Sequence, residues 1–374
     1  MPFGFKLGQS NMPVVGVDFG VSSLKVLQLT GDSGKIIAAG CAATPDDLIE
    51  KPAARLAHQA NELPKLLREC GIKGRRAVCS VPAGHTFVQH LHVPRSEGAT
   101  RAGEVQNQLR TLLGADPERF IVRLFNVCEV TRGGQRCEEL LCIAIPRDIV
   151  LAHVRALAGA GLEAVGVQSE HLAAVRAFDS ITRRVEDEAL SSIIVDLGYG
   201  STKVGITHGR EPVFAKTVHV AGRQLDRALA KARKCAVKDS RRTGGAIALD
   251  PAQARIAAAT AAMSMNESAV PGVPIARGAT APAPALASGP VVTAEDRRAG
   301  SSPQILCELG EPPVETVDTG AASTPILSAI ADEIAMCVRY HQALFPGRKL
   351  DRFVLAGGEA RQVELARAVG RAAR

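Results

Sequence analysis

Two aspartates of this chain sit in the same local frame. Asp18 closes the apolar run Pro13–Asp18 and opens into Phe19-Gly20-Val21-Ser22-Ser23. Asp196 closes Ser192–Asp196 and opens into Leu197-Gly198-Tyr199-Gly200-Ser201. A lysine, Lys25 or Lys203, follows seven positions after each, and the two frames lie 178 residues apart. A third glycine turn, Ala356-Gly357-Gly358, follows the apolar run Arg352–Leu355. Glycine lets a backbone turn sharply and approach a bound group closely. The amides of such turns, with the hydroxyls of Ser22, Ser23, Ser201 and Thr202, can donate to phosphate oxygens. Two carboxylates facing those turns would repel phosphate unless a divalent cation lay between them. Mg²⁺ suits Asp18 and Asp196, because it favours carboxylate oxygens while keeping several waters. A Gly-Gly that ends a strand and opens a helix leaves room for a nucleoside and offers helix N-terminal amides. Turn capping would explain either aspartate alone; their duplication in one frame favours a nucleotide.

The elements that must hold these turns repeat as well. Each aspartate is followed by two further strands: Leu24–Thr30 and Lys35–Ala43 around Gly31–Gly34, then Thr202–Thr207 and Pro212–Val220 around His208–Glu211. Strand, Asp, turn, strand, turn, strand occurs twice, which implies duplication of a whole domain. Between the copies, periodicity predicts a helix over Arg55–Cys70, a buried strand over Arg76–Val81 and an alternating strand over Thr86–Val93. A helix over Ala102–Leu113, paired strands Arg119–Val130 and Glu139–Ile145, and a helix over Arg147–Ala160 follow. Strand Glu163–Val167 then runs through Ser169, a natural N-cap, into helix His171–Phe178. From about 244 to 320 Ala, Pro, Gly, Ser and Thr dominate, the composition of a long mobile loop. Thr324-Pro325 predicts the start of a helix that keeps Leu327, Ile330, Ile334, Val338 and His341 on one face. A last helix is expected over Ala360–Ala373.

Composition narrows the class. Of 374 residues 46% are hydrophobic but only 3% aromatic, with no tryptophan, so the core must be aliphatic and base stacking on aromatic platforms is disfavoured. No specific nucleic-acid partner is expected. The net charge of +7 suits an anionic small molecule as well as a membrane surface. Its densest run, Arg223–Arg242, reads as a solvated helix and loop, and the Met1–Lys6 segment as a frayed end. Nine cysteines without a Cys-x-x-Cys spacing argue against zinc and disulfides and for a reducing cytoplasm. The long uncharged run Gly278–Thr293 is broken by prolines and cannot span a bilayer as a helix, so a soluble protein is expected. His90 and His92 share a strand face without an evident third metal ligand, so a solvated face is expected. Lys25 and Lys203 can each be read as an outward strand residue, with Lys25 the better candidate for phosphate.

The segments Val15–Lys25, Val195–Thr202 and Leu355–Ala360 together resemble the two phosphate loops and the adenosine loop of the actin-like ATPase superfamily. Within it the chain most resembles the PilM family of type IV pilus assembly, and after that the FtsA family. The resemblance implies an α/β fold of two duplicated domains around a nucleotide cleft. The first domain would take residues 12–81 and 156–185, an inserted α+β subdomain 82–155, and the second domain 186–374. It implies ATP with Mg²⁺ as ligands: Asp18 would hold the metal through water, Lys25 would approach the β-phosphate, and Asp196, Gly198 and Gly200 would form the second loop. Gly222 would border the phosphates, Gly357 and Gly358 would face the nucleoside, and Glu170 would be an acid orienting water. Binding is better supported than hydrolysis, so a weak ATPase is the most that is implied. The partner implied is the N-terminal cytoplasmic peptide of a PilN-like bitopic inner-membrane protein. It would dock in a groove between residues 76–93 and 102–145, placing the chain at the inner face of that membrane, with self-association a further option. Two features depart from the pattern. No adenosine-gripping glutamate–lysine pair stands in 231–242, and the family's usual strand after the last helix is missing, as in a shortened chain. An FtsA-like tether would need an amphipathic C-terminal membrane helix, and 360–373 has few large apolar residues for one. A sugar-kinase relative would need a carboxylate base beside a polar substrate pocket, for which no cluster is evident.

Overall fold

The computed structural model describes residues 13–30, 35–95, 98–178, 185–235, 237, 320–361 and 363–372. The low-complexity stretch up to residue 319, the Gly31–Gly34 turn, the Met1–Lys6 segment and residues 238–242 of the basic run lie outside them. In chain order the elements are β1 (Val15–Phe19), β2 (Ser23–Leu29), β3 (Ile36–Ala43), α1 (Pro52–Glu69), β4 (Arg76–Val81) and β5 (Phe87–Pro94). Next come α2 (Gly98–Leu113), β6 (Phe120–Arg132), β7 (Gln135–Pro146), α3 (Arg147–Gly159), β8 (Glu163–Ser169) and α4 (Glu170–Ala177). The chain continues with β9 (Ser191–Leu197), β10 (Thr202–His208), β11 (Glu211–Val218), α5 (Gly222–Arg233), α6 (Gly320–Leu344), β12 (Arg352–Ala356) and α7 (Val363–Ala372).

Two sheets repeat one plan. The first has the order β3-β2-β1-β4-β8 and the second β11-β10-β9-β12. In each, three consecutive antiparallel strands are extended by a strand parallel to the first: β4 beside β1, and β12 beside β9. Alternation along β1 and β2 turns Val15, Val17, Phe19, Leu24 and Val26 onto α1 and α3, where Leu63, Leu66 and Leu157 meet them. The second sheet presents Ile193, Val195, Val204 and Ile206 to Ile330, Ile334 and Cys337 of α6. The first core is aliphatic apart from Phe19, and the second adds Phe214 with Tyr340, Phe345 and Phe353 at its margin. A third sheet, β5-β7-β6, is inserted between β4 and α3 and packs Leu91, Val93 and Leu140 against Val105 and Leu109 of α2.

Some expectations need correcting. Helix α6 begins at Gly320, so Thr324-Pro325 is not its start and Pro325 lies inside it. The terminal helix begins at Val363 after a separate short turn, Gly358–Arg361. His90 and His92 do not line a solvated face. They point at Glu139 of β7, which is fully buried; His90 Nδ1 lies 2.7 Å and His92 Nε2 3.4 Å from its oxygens. The Tyr340 hydroxyl of α6 donates to the same carboxylate at 2.5 Å. A buried charge needs such partners, and β7 is the middle strand, between β5 and β6, so its Glu139 is shut away from water. Among the described residues no helix is long and apolar enough to cross a membrane.

Candidate functional site

The two aspartate turns and the Gly357 turn lie at the same ends of β1, β9 and β12, and three glycines record how tightly they meet. A side chain at Gly200 would put its Cβ 2.7 Å from Val21 Cγ2, so the second turn touches the first. A Cβ at Gly357, whose φ is +94°, would lie 2.2 Å from the Leu197 carbonyl and 2.4 Å from Asp196 Oδ1. Only glycine tolerates that conformation at that distance. Gly222, at the N-terminus of α5, donates its N–H to the Gly198 carbonyl at 3.2 Å, and its missing side chain leaves room for Glu359. The α5 end, the second turn and the Gly357-Gly358 segment thus form one continuous backbone surface.

Within each turn the aspartate and lysine face one another because they are register partners: Asp18 opposite Lys25 on β1 and β2, Asp196 opposite Lys203 on β9 and β10. The Nζ–Oδ2 distances are 2.8 Å and 2.9 Å. The glycine two residues beyond each aspartate leaves space for the ammonium group: a Cβ at Gly20 would lie 3.2 Å from Lys25 Nζ, and one at Gly198 2.8 Å from Lys203 Nζ. Asp18 also accepts from Ser80 Oγ at 3.0 Å. Gln59 of α1, buried, donates to the Gly20 carbonyl at 2.8 Å and fixes the first turn from behind.

Glu170 opens α4 directly after Ser169, which caps that helix by accepting from the Leu172 N–H. Its Oε2 accepts from the Ala83 N–H at 2.8 Å and lies 3.6 Å from Lys203 Nζ. Burial pushes the Glu170 carboxyl above the usual carboxylate range; Lys203 opposes the rise, and Asp18 and Asp196 add to it. Lys203 is itself held above the ordinary lysine value although burial works against its charge, because Glu170, Asp196 and Asp18 surround it. His171, beside Glu170, donates or accepts at Thr217 Oγ1 over 2.9 Å, and burial, with Lys203 adding, drives its pKa down to about 4.

Of the residues nominated from sequence, Asp18, Gly20, Lys25, Glu170, Asp196, Gly198, Gly200, Gly222 and Gly357 are brought together. Ser22, Ser201 and Gly358 belong to the same turns, whereas Ser23 opens β2 and is buried, so its hydroxyl does not face outward. Thr202 is fully buried, and its hydroxyl donates to the Val220 carbonyl at 2.9 Å, so it braces the second turn rather than facing outward. Lys203 is no outward strand residue: its side chain is 7% exposed, against 51% for Lys25. Sequence reasoning missed Ser80, Gln59 and the Ala83 amide. Ser80 left one signal, a polar residue at the end of an otherwise apolar strand beside β1. Arg223 of the basic run reaches Glu50 across 3.1 Å, and Arg227 contacts the same carboxylate.

A repeated sheet unit, antiparallel triplet plus parallel strand, with glycine turns meeting at the strand ends, defines the actin-like ATPase fold, and this chain has it. Residues 16–240, more than half of the chain, match the family described as type IV pilus assembly protein PilM, and the chain belongs to that family. Among solved structures it is similar to a chain of a PilM-PilN type IV pilus biogenesis complex, with 15% identity, 97% of this chain and 86% of that one covered, and a TM-score of 0.62. The ethanolamine utilization protein EutJ from Carboxydothermus hydrogenoformans matches with 13% identity over 96% and 81% of the two chains at a TM-score of 0.42. MreB5 of Spiroplasma citri bound to ADP matches with 11% identity over 64% of each chain at 0.30.

Proposed function

We propose that this protein is a nucleotide-binding assembly factor of a type IV pilus machine. It would bind ATP at the meeting point of the Asp18, Asp196 and Gly357 turns, and the cytoplasmic N-terminal peptide of a PilN-like inner-membrane protein on the inserted sheet. One observation carries the reading: membership of the PilM family in a chain whose three glycine turns converge. The donor set fits the ligand. Gly20, Gly198 and Gly200 leave backbone exposed where a Cβ would clash, as a phosphate cradle requires, and Lys25 stands beside it. Asp18 offers a carboxylate open enough to take a hydrated Mg²⁺, which would supply charge neutralisation for the phosphates. Asp196 is the second candidate for that ion. Ser22 and Ser201 would add hydroxyl donors, Gly222 would border the phosphates, and Gly357 and Gly358 would face the nucleoside. Glu170, whose carboxyl burial pushes above the usual range, stands at the head of α4 beside Lys203, where an acid that orients water would sit.

The domains would be residues 12–81 with 156–185, the insert 82–155, and 186–374. For the peptide, a groove of about 540 Å³ runs between α2 and the edge strand β6, floored by Val105, Leu109, Phe120 and Val122 and flanked by Glu118 and Arg147. An extended segment with alternate apolar side chains fits such a floor. Docking there would hold the protein at the cytoplasmic face of the inner membrane. Val369 of α7 is fully buried, which gives no support to the FtsA-like alternative of a terminal membrane anchor.

Two titrations test this. Binding of a fluorescent ATP analogue should weaken at least tenfold in Asp196→Ala. A synthetic PilN-type N-terminal peptide should bind the wild type and be lost in Val122→Asp. A peptide that binds both alike would remove the groove; an analogue that ignores Asp196→Ala would remove the nucleotide site. If peptide affinity is the same with and without ATP, the two sites are not coupled.

A further inference from the structure

Lys203 sits where a cation is needed whether or not any ligand is bound. Its side chain is more than nine-tenths buried, its Nζ is 2.9 Å from Asp196 Oδ2 and 3.6 Å from Glu170 Oε2, and Asp18 adds a third carboxylate within electrostatic reach. Gly198 makes room for the ammonium group, since any side chain there would begin 2.8 Å from it. Three carboxylates converging in a partly dry cleft repel one another strongly unless a positive charge stands among them. In the first turn the corresponding lysine serves Asp18 from a half-exposed position, and Ser80 shares that task. We propose that Lys203 is the resident counter-cation of the cleft: it occupies the place between Asp196 and Glu170 that a divalent metal would otherwise take, and so positions both carboxylates without metal. A cation arriving with a nucleotide then meets Asp18, whose carboxylate is the more open of the two aspartates, 39% exposed against 21%. The inference concerns the ligand-free protein and stands independently of whether ATP is the ligand.

Thermal unfolding of the full chain without nucleotide, in EDTA and in millimolar Mg²⁺, tests it. Wild type should melt at the same temperature in both. Lys203→Met should melt lower by on the order of 10 °C in EDTA and recover part of that in Mg²⁺, because the uncompensated carboxylates now take the metal. Glu170→Gln added to Lys203→Met should recover about half of the loss in EDTA by removing one of the repelling charges. A lysine needed only for packing would show neither recovery. If Lys203→Met alone does not fold, the double variant decides: a folded double supports the proposal and an unfolded one overturns it. Stabilisation of the wild type by Mg²⁺ without nucleotide would overturn it as well.

Discussion

The two aspartate turns share a sequence frame, a strand register and a lysine at the same offset, yet they are different chemical environments. Lys25 and Asp18 are half open to water, whereas Lys203 and Asp196 are largely shut away. The difference comes from α4. Strand β8 ends the first sheet, and the chain passes at Ser169 into a helix that lies on the second: His171 bonds Thr217 of β11, and a Cβ at Gly205 of β10 would lie 3.2 Å from Val175. Glu170, the first residue of that helix, therefore lands on Lys203. Duplication copied the backbone, but the helix that crosses between the copies decides which lysine is buried. Equivalent positions after a duplication are thus equivalent in geometry only.

Exchanging charge at the two lysines should expose this directly. Lys203→Met leaves Asp196 and Glu170 uncompensated in a buried setting and should cost about 3–5 kcal/mol in denaturant unfolding. Lys25→Met removes an exposed pair and should stay within about 1 kcal/mol. Equal losses would mean that the burial contrast has no energetic weight. The glycines offer the next contrast. Gly357→Ala must fit a left-handed φ against the Leu197 carbonyl and should cost on the order of 2–4 kcal/mol, while Gly358→Ala meets nothing within 4 Å and should stay below about 1.

A third contrast lies where the inserted sheet meets the second sheet. Tyr340→Phe deletes the hydroxyl that reaches Glu139 from α6, leaving a buried carboxylate with one donor fewer, and should cost roughly 1–3 kcal/mol. Burial works against the Glu139 charge, yet His90 and Tyr340, with His92, hold that carboxyl below the usual range. Hydrogen exchange should localise the effect to β5, β7 and the C-terminal end of α6. A uniform loss of protection across both aspartate sheets would show that the cluster stabilises the whole molecule instead.

The strands were readable because a period of two and glycine turns are local properties of the chain. So were the aspartates, lysines and the Gly357 turn, whose residue types announce the chemistry wherever they lie. What could not be read was which polar side chain meets which. Ser80 stands 62 residues from Asp18 and Tyr340 stands 201 from Glu139, and each pair exists only because sheets and helices bring them together. Which of the two lysines is outward is hidden for the same reason: the strand pattern treats them alike, and only α4 covers Lys203. His90 and His92 were placed in water because nothing near them in sequence is an acid facing them; Glu139 reaches them from across the sheet.

The smallest expected effect distinguishes the second sheet by pH. His208 faces His341 at 2.9 Å between their Nε2 atoms and packs on Phe345, so at most one of the two rings can donate along that contact. Burial, with Arg348 and His341 adding, holds the His208 pKa down at about 4 against 6.5 for a free histidine. The native state therefore releases this proton at lower pH than the unfolded chain does. Stability from His208 is complete above pH 6.5, declines as the pH falls, and is gone below about 4. His171, also near 4, adds to the same acid loss. Glu170 acts in the opposite direction, since its raised pKa makes the native state bind a proton more readily and weakens it as pH rises past the free glutamate value. Replacing His208 by Gln, which keeps a polar group but cannot charge, should remove about 1 kcal/mol of the stability lost between pH 7 and pH 5.5. The measurement is denaturant unfolding at those two pH values for wild type and variant. An unchanged difference would mean that His208 titrates alike in folded and unfolded chains, and that the acid sensitivity belongs to His171 instead.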